Sequence, residues 1–335
     1  MAVRCSRVPR PASRSGKKKP ASKPRPGRRE QLFFAGGLGS LALLGALEPY
    51  LWLGALVGEL GFQLALAALL IAAVALAKRA FIVLAAALAL ALFFVWPLIP
   101  LYRSTRPTPQ AGPILRVATA HLAGNALDEA TLLRWLARER PDAAALTGLR
   151  SDLSVGSRLG AYRIARGNVD LRALLLVQSA LVVPVRERPT EHPTLTVRAG
   201  RCQAQTVAME LPPLAAYTAL EARERAIARV TALKPTPRSV WLGHLGSRVE
   251  APDLDGFIAA HALRNAGRGH GRLATAPGSL GPLGFPLSHV LVHGWISVRD
   301  VDVKDPIVPG AERTIAGILE LTEARCRFTP SAPLE

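Results

Sequence analysis

Residues 114–149 read ILRVATAHLAGNALDEATLLRWLARERPDAAALTGL, and this stretch decides the fold of the carboxyl-terminal part of the chain. Ile114–Ala120 is a short apolar run typical of a buried strand. Asp128–Arg140 repeats leucines at helical spacing and ends before a proline, which predicts a helix. Ala143–Leu146 is again strand-like. The unit is therefore a compact strand–helix–strand.

Further apolar runs and helical stretches continue downstream, broken by turns. The predicted strands or hairpins are Leu174–Val185, Cys202–Leu211, Ser239–Leu242, Leu287–Val292 and Thr314–Leu321, and Ala219–Leu233 is predicted to be an amphipathic helix. Because strands and helices interleave, we expect a mixed α/β (α+β) domain of two or four layers over residues 114–322. A domain of this length can bury a full core.

The amino-terminal part of the chain is almost purely apolar over residues 31–102. A bilayer core of about 30 Å needs about 20 apolar residues in a helix. Ala80–Leu101 meets this requirement, and Phe62–Ala77 and Leu32–Leu47 approach it. We therefore expect three transmembrane helices. A buried bundle in a soluble protein is the alternative, but no polar face alternates through the segment.

Charge predicts the orientation of these helices. The chain has 42 Lys and Arg against 24 Asp and Glu, and eleven of the basic residues lie in residues 1–30 with one Glu. A Pro- and Ser-rich block of this kind is typical of a disordered cytoplasmic tail that meets anionic lipid, with nucleic-acid binding as an alternative. Lys78 and Arg79 fall on the same side after two crossings.

We therefore expect a multi-pass protein of the inner or plasma membrane. Its amino terminus would be cytoplasmic, and a Pro-rich linker (103–113) would lead to a domain in the periplasm or outside the cell, followed by a tail (323–335). The chain has three cysteines, which excludes a disulfide scaffold. Cys202 and Cys326 both lie in the exported part, where oxidation is permitted, and whether they pair stays open.

Six segments of the chain occur in the order of landmarks known from one family. They are ILRVATAHL, RPDAAALTGL, SVWLGHLGS, LRNAGRGHGRLATAP, FPLSHVLV and VPGAERTIAGILEL. In this order and spelling, residues 32–321 resemble the endonuclease/exonuclease/phosphatase superfamily in its membrane-tethered bacterial form with three leading spans. The resemblance implies a four-layer β-sandwich. It also implies a phosphoesterase or nuclease that uses Mg²⁺ or Mn²⁺.

The residues at the positions that match the family's active site differ from the family pattern. They are His121, Gly148, His244, Gly246, Ser288, Glu312 and Arg313, where the family has Asn, Glu, Asp, Asn, Asp and an Asp–His pair. For the family's middle-strand His, Tyr217 is the nearest candidate. One carboxylate and a hydroxyl cannot hold a hard, oxygen-loving cation. We therefore expect no catalytic site, no metal and no cofactor.

The expected function is that of an inactive, membrane-anchored binding or scaffold module. Arg313, His121 and His244 would bind an anionic group such as a phosphorylated lipid headgroup or a glycan, and nucleic acid is not the expected partner. An active metal-dependent phosphodiesterase, phosphatase or nuclease is the first alternative. Its acids would come from Asp253, Asp255, Asp300, Asp302 and Asp305, although 300 and 302 are more typical of a solvated strand edge.

A repurposed metal site is the second alternative, in which His121, His244 and Glu312 converge on zinc or iron. His289 is expected to be structural, because adjacent side chains on a strand point to opposite faces and Ser288 would face the pocket. Arg223, Glu224 and Arg225 are expected on a solvated helix face.

Overall fold

The computed structural model describes residues 27–48, 50–103, 112–150, 157–166, 173–183, 192–213, 220–233, 236, 238–322 and 326. The predictions for most of the basic tail, for most of the linker and for Tyr217 lie outside the described residues, as does most of the carboxyl-terminal tail. Within the described residues, an amino-terminal helical unit is followed by a domain with two β-sheets.

The helical unit runs from residue 28 to residue 102. Its helices are α1 (Arg28–Ala46), α2 (Trp52–Glu59), α3 (Gly61–Ala77), α4 (Phe81–Val95) and, after a 3₁₀ turn at Trp96–Leu98, α5 (Ile99–Tyr102). One described segment, Phe81–Tyr102, is long and apolar enough to cross a membrane. A second exists only if α2 and α3, bent by 71°, count as one span. Three separate spans therefore stay a prediction.

The helices pack with small residues inside and large apolar residues outside. Ala65, Ala68 and Ala72 of α3 are buried, and Leu90 and Ala91 of α4 pack in the same cluster. On the outward surface, Leu70 is 70% exposed and Trp96 is 69% exposed. Small residues let helices approach closely without a hydrophobic driving force, as in membrane bundles. This surface would be costly in water.

In the part of the domain that the structure describes there are twelve strands and three further helices. In chain order they are β1 (Ile114–His121), α6 (Glu129–Glu139), β2 (Ala143–Thr147), β3 (Arg158–Leu159), β4 (Tyr162–Arg166), β5 (Leu174–Gln178), β6 (Thr194–Ala199), β7 (Cys202–Glu210), α7 (Leu220–Thr231), β8 (Ser239–His244), α8 (Asp255–Ala260), β9 (Leu263–Asn265), β10 (Ser288–His293), β11 (Ile296–Lys304) and β12 (Thr314–Leu321).

The strands form two mixed sheets. The first has the order β11-β12-β1-β2-β5-β4-β3 and the second the order β6-β7-β8-β10-β9. β1 and β2 are parallel, and so are β7 and β8, whereas β10 runs antiparallel to β8. The compact unit predicted from residues 114–149 is therefore confirmed as β1–α6–β2.

Four layers follow from how side chains alternate along the strands. Ala143 and Ala145 of β2 face the core between the two sheets, and Ala144 and Leu146 face α6 on the outside of the first sheet. α7 and α8 cover the outside of the second sheet, where Phe257 packs edge-on against Trp241 at 5.2 Å between ring centroids. The predicted four-layer sandwich is confirmed.

One feature of the domain was left open by the sequence, and a second differs from its prediction. Cys202, at the start of β7, and Cys326 form a disulfide, with 4.9 Å between their Cα atoms. Residues 174–185 were predicted as a hairpin or two linked strands; in the described part, through Val183, one strand ends at Gln178 and a 3₁₀ turn follows at Ser179–Leu181, so the hairpin is not formed there. Val182 then forms an isolated bridge to Val197 in the other sheet.

The helical unit and the domain contact each other directly. Arg248, in the loop after β8, forms ion pairs with Glu48 and Glu59 at the ends of α1 and α2. The backbone N–H groups of Gly269 and Gly271 donate to the carbonyl of Leu101 at 2.8 and 2.9 Å. The domain is thus held at three helix ends.

Candidate functional site

The candidate site lies where four strands of the two sheets end or begin. His121 is the last residue of β1 and pairs with Thr147, the last residue of the parallel strand β2. In the other sheet His244, the last residue of β8, pairs with Ser288 at the start of β10. The backbone N–H of Glu312 donates to the carbonyl of His121 at 3.1 Å, which brings the loop before β12 to the same place.

Two imidazole rings fill the centre of the site. The rings of His121 and His244 are stacked, with 3.8 Å between centroids and 16° between planes. Thr147 Oγ1 donates to the carbonyl of Ala120 at 3.4 Å, which leaves its lone pair to accept from Nδ1 of His121 at 3.1 Å. Burial, reinforced by the neighbouring His244, lowers the pKa of His121 to about 4. The His121 ring is therefore neutral at pH 7.

Glu312 is the carboxylate of the site, and it is held from two sides. Ser288 Oγ donates to its Oε2 at 3.0 Å, and Nδ1 of His244 lies 3.4 Å from the same oxygen. Burial alone would raise the pKa of the Glu312 carboxyl, but His244, His121 and the Ser288 hydroxyl hold it below its ordinary value. Glu312 is therefore ionised and already hydrogen-bonded inside the protein.

Gly148 makes room for the stacked rings. Its φ is +64°, and a Cβ added there would overlap Cε1 of His121 and lie 2.9 Å from the backbone N of Ala123. The N–H of Gly148 donates to Oε2 of Glu210 at 2.8 Å. A longer side chain at 148 would therefore displace the His121 ring.

Glu210 and Thr147 were missed in the sequence. Each is the last residue of a strand beside the site: Thr147 pairs with His121, and Glu210 pairs with His244 across parallel strands. That register is the signal that could have found them, because the final residues of neighbouring parallel strands meet at one edge of a sheet. The site thus has a second, partly buried acid, whose Oε2 accepts from the backbone N–H of Gly148.

Gly246 shapes the loop after β8 and places no side chain in the site. Its φ is +66°, and an added Cβ would lie 2.7 Å from Cα of Pro213. The loop is held by Arg223, which donates to the carbonyls of Pro212 and Leu245 and to Asp253. Arg223 is 1% exposed, so its predicted place on a solvated face is wrong. A guanidinium is buried here because loop carbonyls need donors.

Arg313 does not join the histidines, and this corrects its expected role in binding an anion. Its Nη2 donates to the carbonyl of Val303 in β11 at 3.5 Å, and its backbone N–H donates to Thr275. The side chains of Glu312 and Arg313 hydrogen-bond to different neighbours, because adjacent side chains of an extended segment point in opposite directions. His289 behaves as expected: Ser247 accepts from its ring at 3.0 Å, and burial lowers its pKa to about 4.

The donor set does not fit the family's Mg²⁺ or Mn²⁺. These ions prefer octahedral oxygen ligands, and the described cluster offers one carboxylate, one hydroxyl and two imidazoles. A transition metal fits the donor types better, since ligand atoms of His121, His244 and Glu312 lie within 4.8 Å of one another. However, a ring nitrogen binds an ion in the plane of its ring, and two nearly parallel stacked planes cannot share one ion.

The acids of the active-enzyme alternative are scattered. Asp253 pairs with Arg223, and Asp302 pairs with Lys304 at 2.6 Å. Asp300 and Asp302 are 63% and 58% exposed on β11, which confirms the solvated strand edge. These carboxylates do not converge on the candidate site.

Comparisons with known proteins bear on the fold. No family model and no curated protein matches the sequence. Among solved structures, the chain is similar to the 3′ phosphatase NExo from Neisseria (13% identity, 61% of this chain and 98% of that one, TM-score 0.48). It is also similar to the endonuclease domain of TRAS1, a telomere-specific non-LTR retrotransposon (14%, 63% and 100%, TM-score 0.46).

A third similar structure is an endonuclease/exonuclease/phosphatase from Beutenbergia cavernae (13% identity, 62% of this chain and 72% of that one, TM-score 0.45). Structures that carry the name of the endonuclease/exonuclease/phosphatase family are thus among those to which the chain is similar. At these identities the likeness concerns the fold alone.

Proposed function

We propose that this chain is a membrane-anchored, exported domain of the endonuclease/exonuclease/phosphatase type that does not catalyse hydrolysis and serves as a scaffold module. The observation that carries the proposal is the stack of His121 on His244, which fills the centre of the site. An active site of this type needs a pocket for a metal ion and a phosphate. Here the Glu312 carboxylate beside the stack is engaged by Ser288 and His244, and the Glu210 carboxylate accepts from the backbone N–H of Gly148.

Anchoring is supported by the inverted packing of the helical unit. Alanines lie inside, and Leu70, Leu92 and Trp96 are 61–70% exposed on the outside. The helical segment Phe81–Tyr102 is long enough to cross a bilayer. We propose three spans, with the basic tail and Lys78–Arg79 in the cytoplasm and the domain outside, because positive charge favours the cytoplasmic side.

A scaffold role fits the site better than capture of an anion by the residues first expected to bind one. His121 is neutral at pH 7 because burial lowers its pKa to about 4, and Arg313 is directed at β11. Neither His121 nor Arg313 therefore places a positive charge in the site that would attract a phosphate or a carboxylate strongly. A zinc or iron site remains the second candidate, favoured by the closeness of the three ligand atoms, and it requires one ring to leave the stack.

The test of inactivity uses the purified full chain in detergent with Mg²⁺ or Mn²⁺. We expect no hydrolysis of DNA or of bis-p-nitrophenyl phosphate above that of Glu312→Gln, the matched variant that keeps the shape of the side chain. Metal-dependent turnover that disappears in Glu312→Gln would contradict the proposal. Zinc or iron content, measured by mass spectrometry on the same two proteins, separates the second candidate from the first.

The test of topology uses reporter fusions after Arg106. We expect activity only from a reporter that works outside the cytoplasm, because the domain follows the last span. Cytoplasmic reporter activity would exclude the proposed orientation. Extraction of membranes with alkaline carbonate should leave the full chain in the pellet, and its release would exclude anchoring.

A further inference from the structure

A cavity of about 530 Å³ lies between the helical unit and the domain. Its wall on the helical side is apolar and includes Phe62, Leu92 and Phe94. Its wall on the domain side carries Arg248, Glu250 and Arg272, while Glu48 and Glu59 line it at the ends of α1 and α2. The cavity therefore has one apolar wall and one strongly charged wall. In the proposed membrane orientation it would lie at the boundary between the bilayer and water.

The charges of this cavity are only partly paired with one another. Arg248 forms ion pairs with Glu48 and Glu59, and its backbone N–H donates to Glu59 at 3.1 Å. Arg272 lies over the Phe62 ring, 4.3 Å from its centroid, and its Nη1 donates to the carbonyl of Pro282 at 2.7 Å. Within the described ranges of the chain, neither Arg272 nor Glu250 forms an ion pair.

Glu250 adds an exposed acid to the cavity. Desolvation by the surrounding protein raises the pKa of its carboxyl, although Arg248 and Arg268 act in the opposite direction. Arg248 itself is paired with Glu48 and Glu59, so Glu250 is the carboxylate of this cavity that stays open to a positively charged group.

An apolar groove of about 350 Å³ continues from the cavity along the outside of the helices. The cavity and the groove share Phe62 and Leu98. On α3 the groove follows Phe62, Leu66 and Leu69, which lie on one helix face and span about 10 Å at the rise of an α-helix. Such a stripe matches part of an acyl chain lying along the helix.

We propose that the cavity and groove bind one phospholipid whose zwitterionic headgroup carries an ammonium group. The phosphate would face Arg272, the ammonium would face Glu250, and an acyl chain would lie in the groove beside Leu66. The position of Glu250 explains the preference, because a headgroup with only negative charge would meet this carboxylate without an ammonium group to compensate it. The inference rests on the membrane anchoring proposed above.

The test is native mass spectrometry of the full chain released from detergent micelles after titration with single lipids. Phosphatidylethanolamine should bind as one molecule per chain, about fivefold more tightly than phosphatidylglycerol, the ratio expected from one charge pair of about 1 kcal/mol. Glu250→Gln should bring the two affinities within about twofold of each other. Glu221→Gln, on the exposed surface of α7, should leave the ratio unchanged.

The groove is tested with a matched pair of substitutions on α3. Leu66→Trp fills the groove and should weaken both lipids about fivefold or more, whereas Leu70→Trp, which lies on a different apolar crevice, should have no effect. Equal or tighter binding of phosphatidylglycerol, or binding unaffected by Leu66→Trp, would overturn the proposal. A chain that stays in the carbonate pellet but shows no lipid preference refutes the lipid site alone, and release by carbonate refutes anchoring as well.

Discussion

Replacing Gly148 with alanine should destabilise the domain by about 2–5 kcal/mol. A left-handed φ of +64° costs an L-residue about 1–2 kcal/mol. The new Cβ would also overlap the His121 ring and crowd the backbone N of Ala123. The ring cannot retreat easily, because it is stacked on His244 and hydrogen-bonded to Thr147. Overpacking of this kind costs about 1–3 kcal/mol more.

The measurement is thermal unfolding of the full chain in detergent, where a domain of this size loses about 2–4 °C per kcal/mol. Gly148→Ala should therefore lower Tm by roughly 5–15 °C. Gly124→Ala is the matched control, since its φ is +77° and an added Cβ meets nothing within 4 Å. It should show only the cost of the dihedral angle.

A double-mutant cycle isolates the contact with the imidazole. His121→Ala removes the ring, so the double variant with Gly148→Ala should lose about 1–3 kcal/mol less than the sum of the single variants. The reasoning is refuted if Gly148→Ala is no more harmful than Gly124→Ala, or if the two effects at 121 and 148 simply add.

Three further predictions use the same unfolding measurement. Arg248→Gln leaves Glu48 and Glu59 of the helical unit without their cation and should lower the free energy of unfolding by about 3 kcal/mol. The control Arg268→Gln, on the exposed surface, should change Tm by less than about 2 °C, and equal effects of the two variants would show that the ion pairs of Arg248 do not stabilise the protein. Loss of the Cys202–Cys326 disulfide, which closes a separation of 124 residues, should cost about 4–5 kcal/mol. In a Cys5→Ser background, which removes the third cysteine, a thiol-specific mass tag should react with the unfolded chain only after reduction, and tagging without reductant would show that the bond is absent. The pKa of His121 is about 4 in the fold, below the 6.5 of an ordinary histidine, so the unfolded chain binds more protons between these values and His121 should contribute a loss of about 2 kcal/mol of stability from pH 7.5 to pH 5. His289, whose pKa is lowered in the same way, should add to this loss, so His121→Gln should reduce the loss without abolishing it, and an unchanged loss would assign it to other groups.

Much of the fold was predictable because its central strands are buried on both faces. Ala143–Leu146 is an unbroken apolar run and was therefore predicted as a strand, and in the structure the fully buried β2 includes it and ends one residue later, at Thr147. β3, β4 and β6 were missed, because they are short or bury only alternate residues, and their exposed positions carry arginine and threonine. A weak alternation in a short strand cannot be separated from a loop without knowing its partner.

The sequence allowed us to predict which residues near strand ends form the site. His121, His244 and Glu312 converge as the metal-site alternative required, because each follows or ends an apolar run. Arg313 could not be placed correctly, since only the strand pairing shows that its neighbour Glu312 takes the inward position.

Arg223, on helix α7, is another residue whose position could not be predicted from the sequence. Its Arg- and Glu-rich surroundings predict a solvated face, and the loop carbonyls that bury its guanidinium lie in segments distant in sequence, at Pro212 and Leu245. The hydrogen-bonding needs of irregular loops are set by the folded backbone, which no periodicity records.

The contacts between helix ends and domain determine how the module would present itself to other molecules. Arg248 forms ion pairs at the ends of two helices, and the carbonyl of Leu101 accepts from the backbone N–H groups of both Gly269 and Gly271. A domain joined only by its Pro-rich linker would sample many heights and angles above the bilayer. In the proposed membrane-anchored arrangement, these contacts would hold the domain at one height and in one orientation. Any molecule that recognised its outer surface would then be held at a defined distance from the lipid, with the domain as a spacer of fixed length.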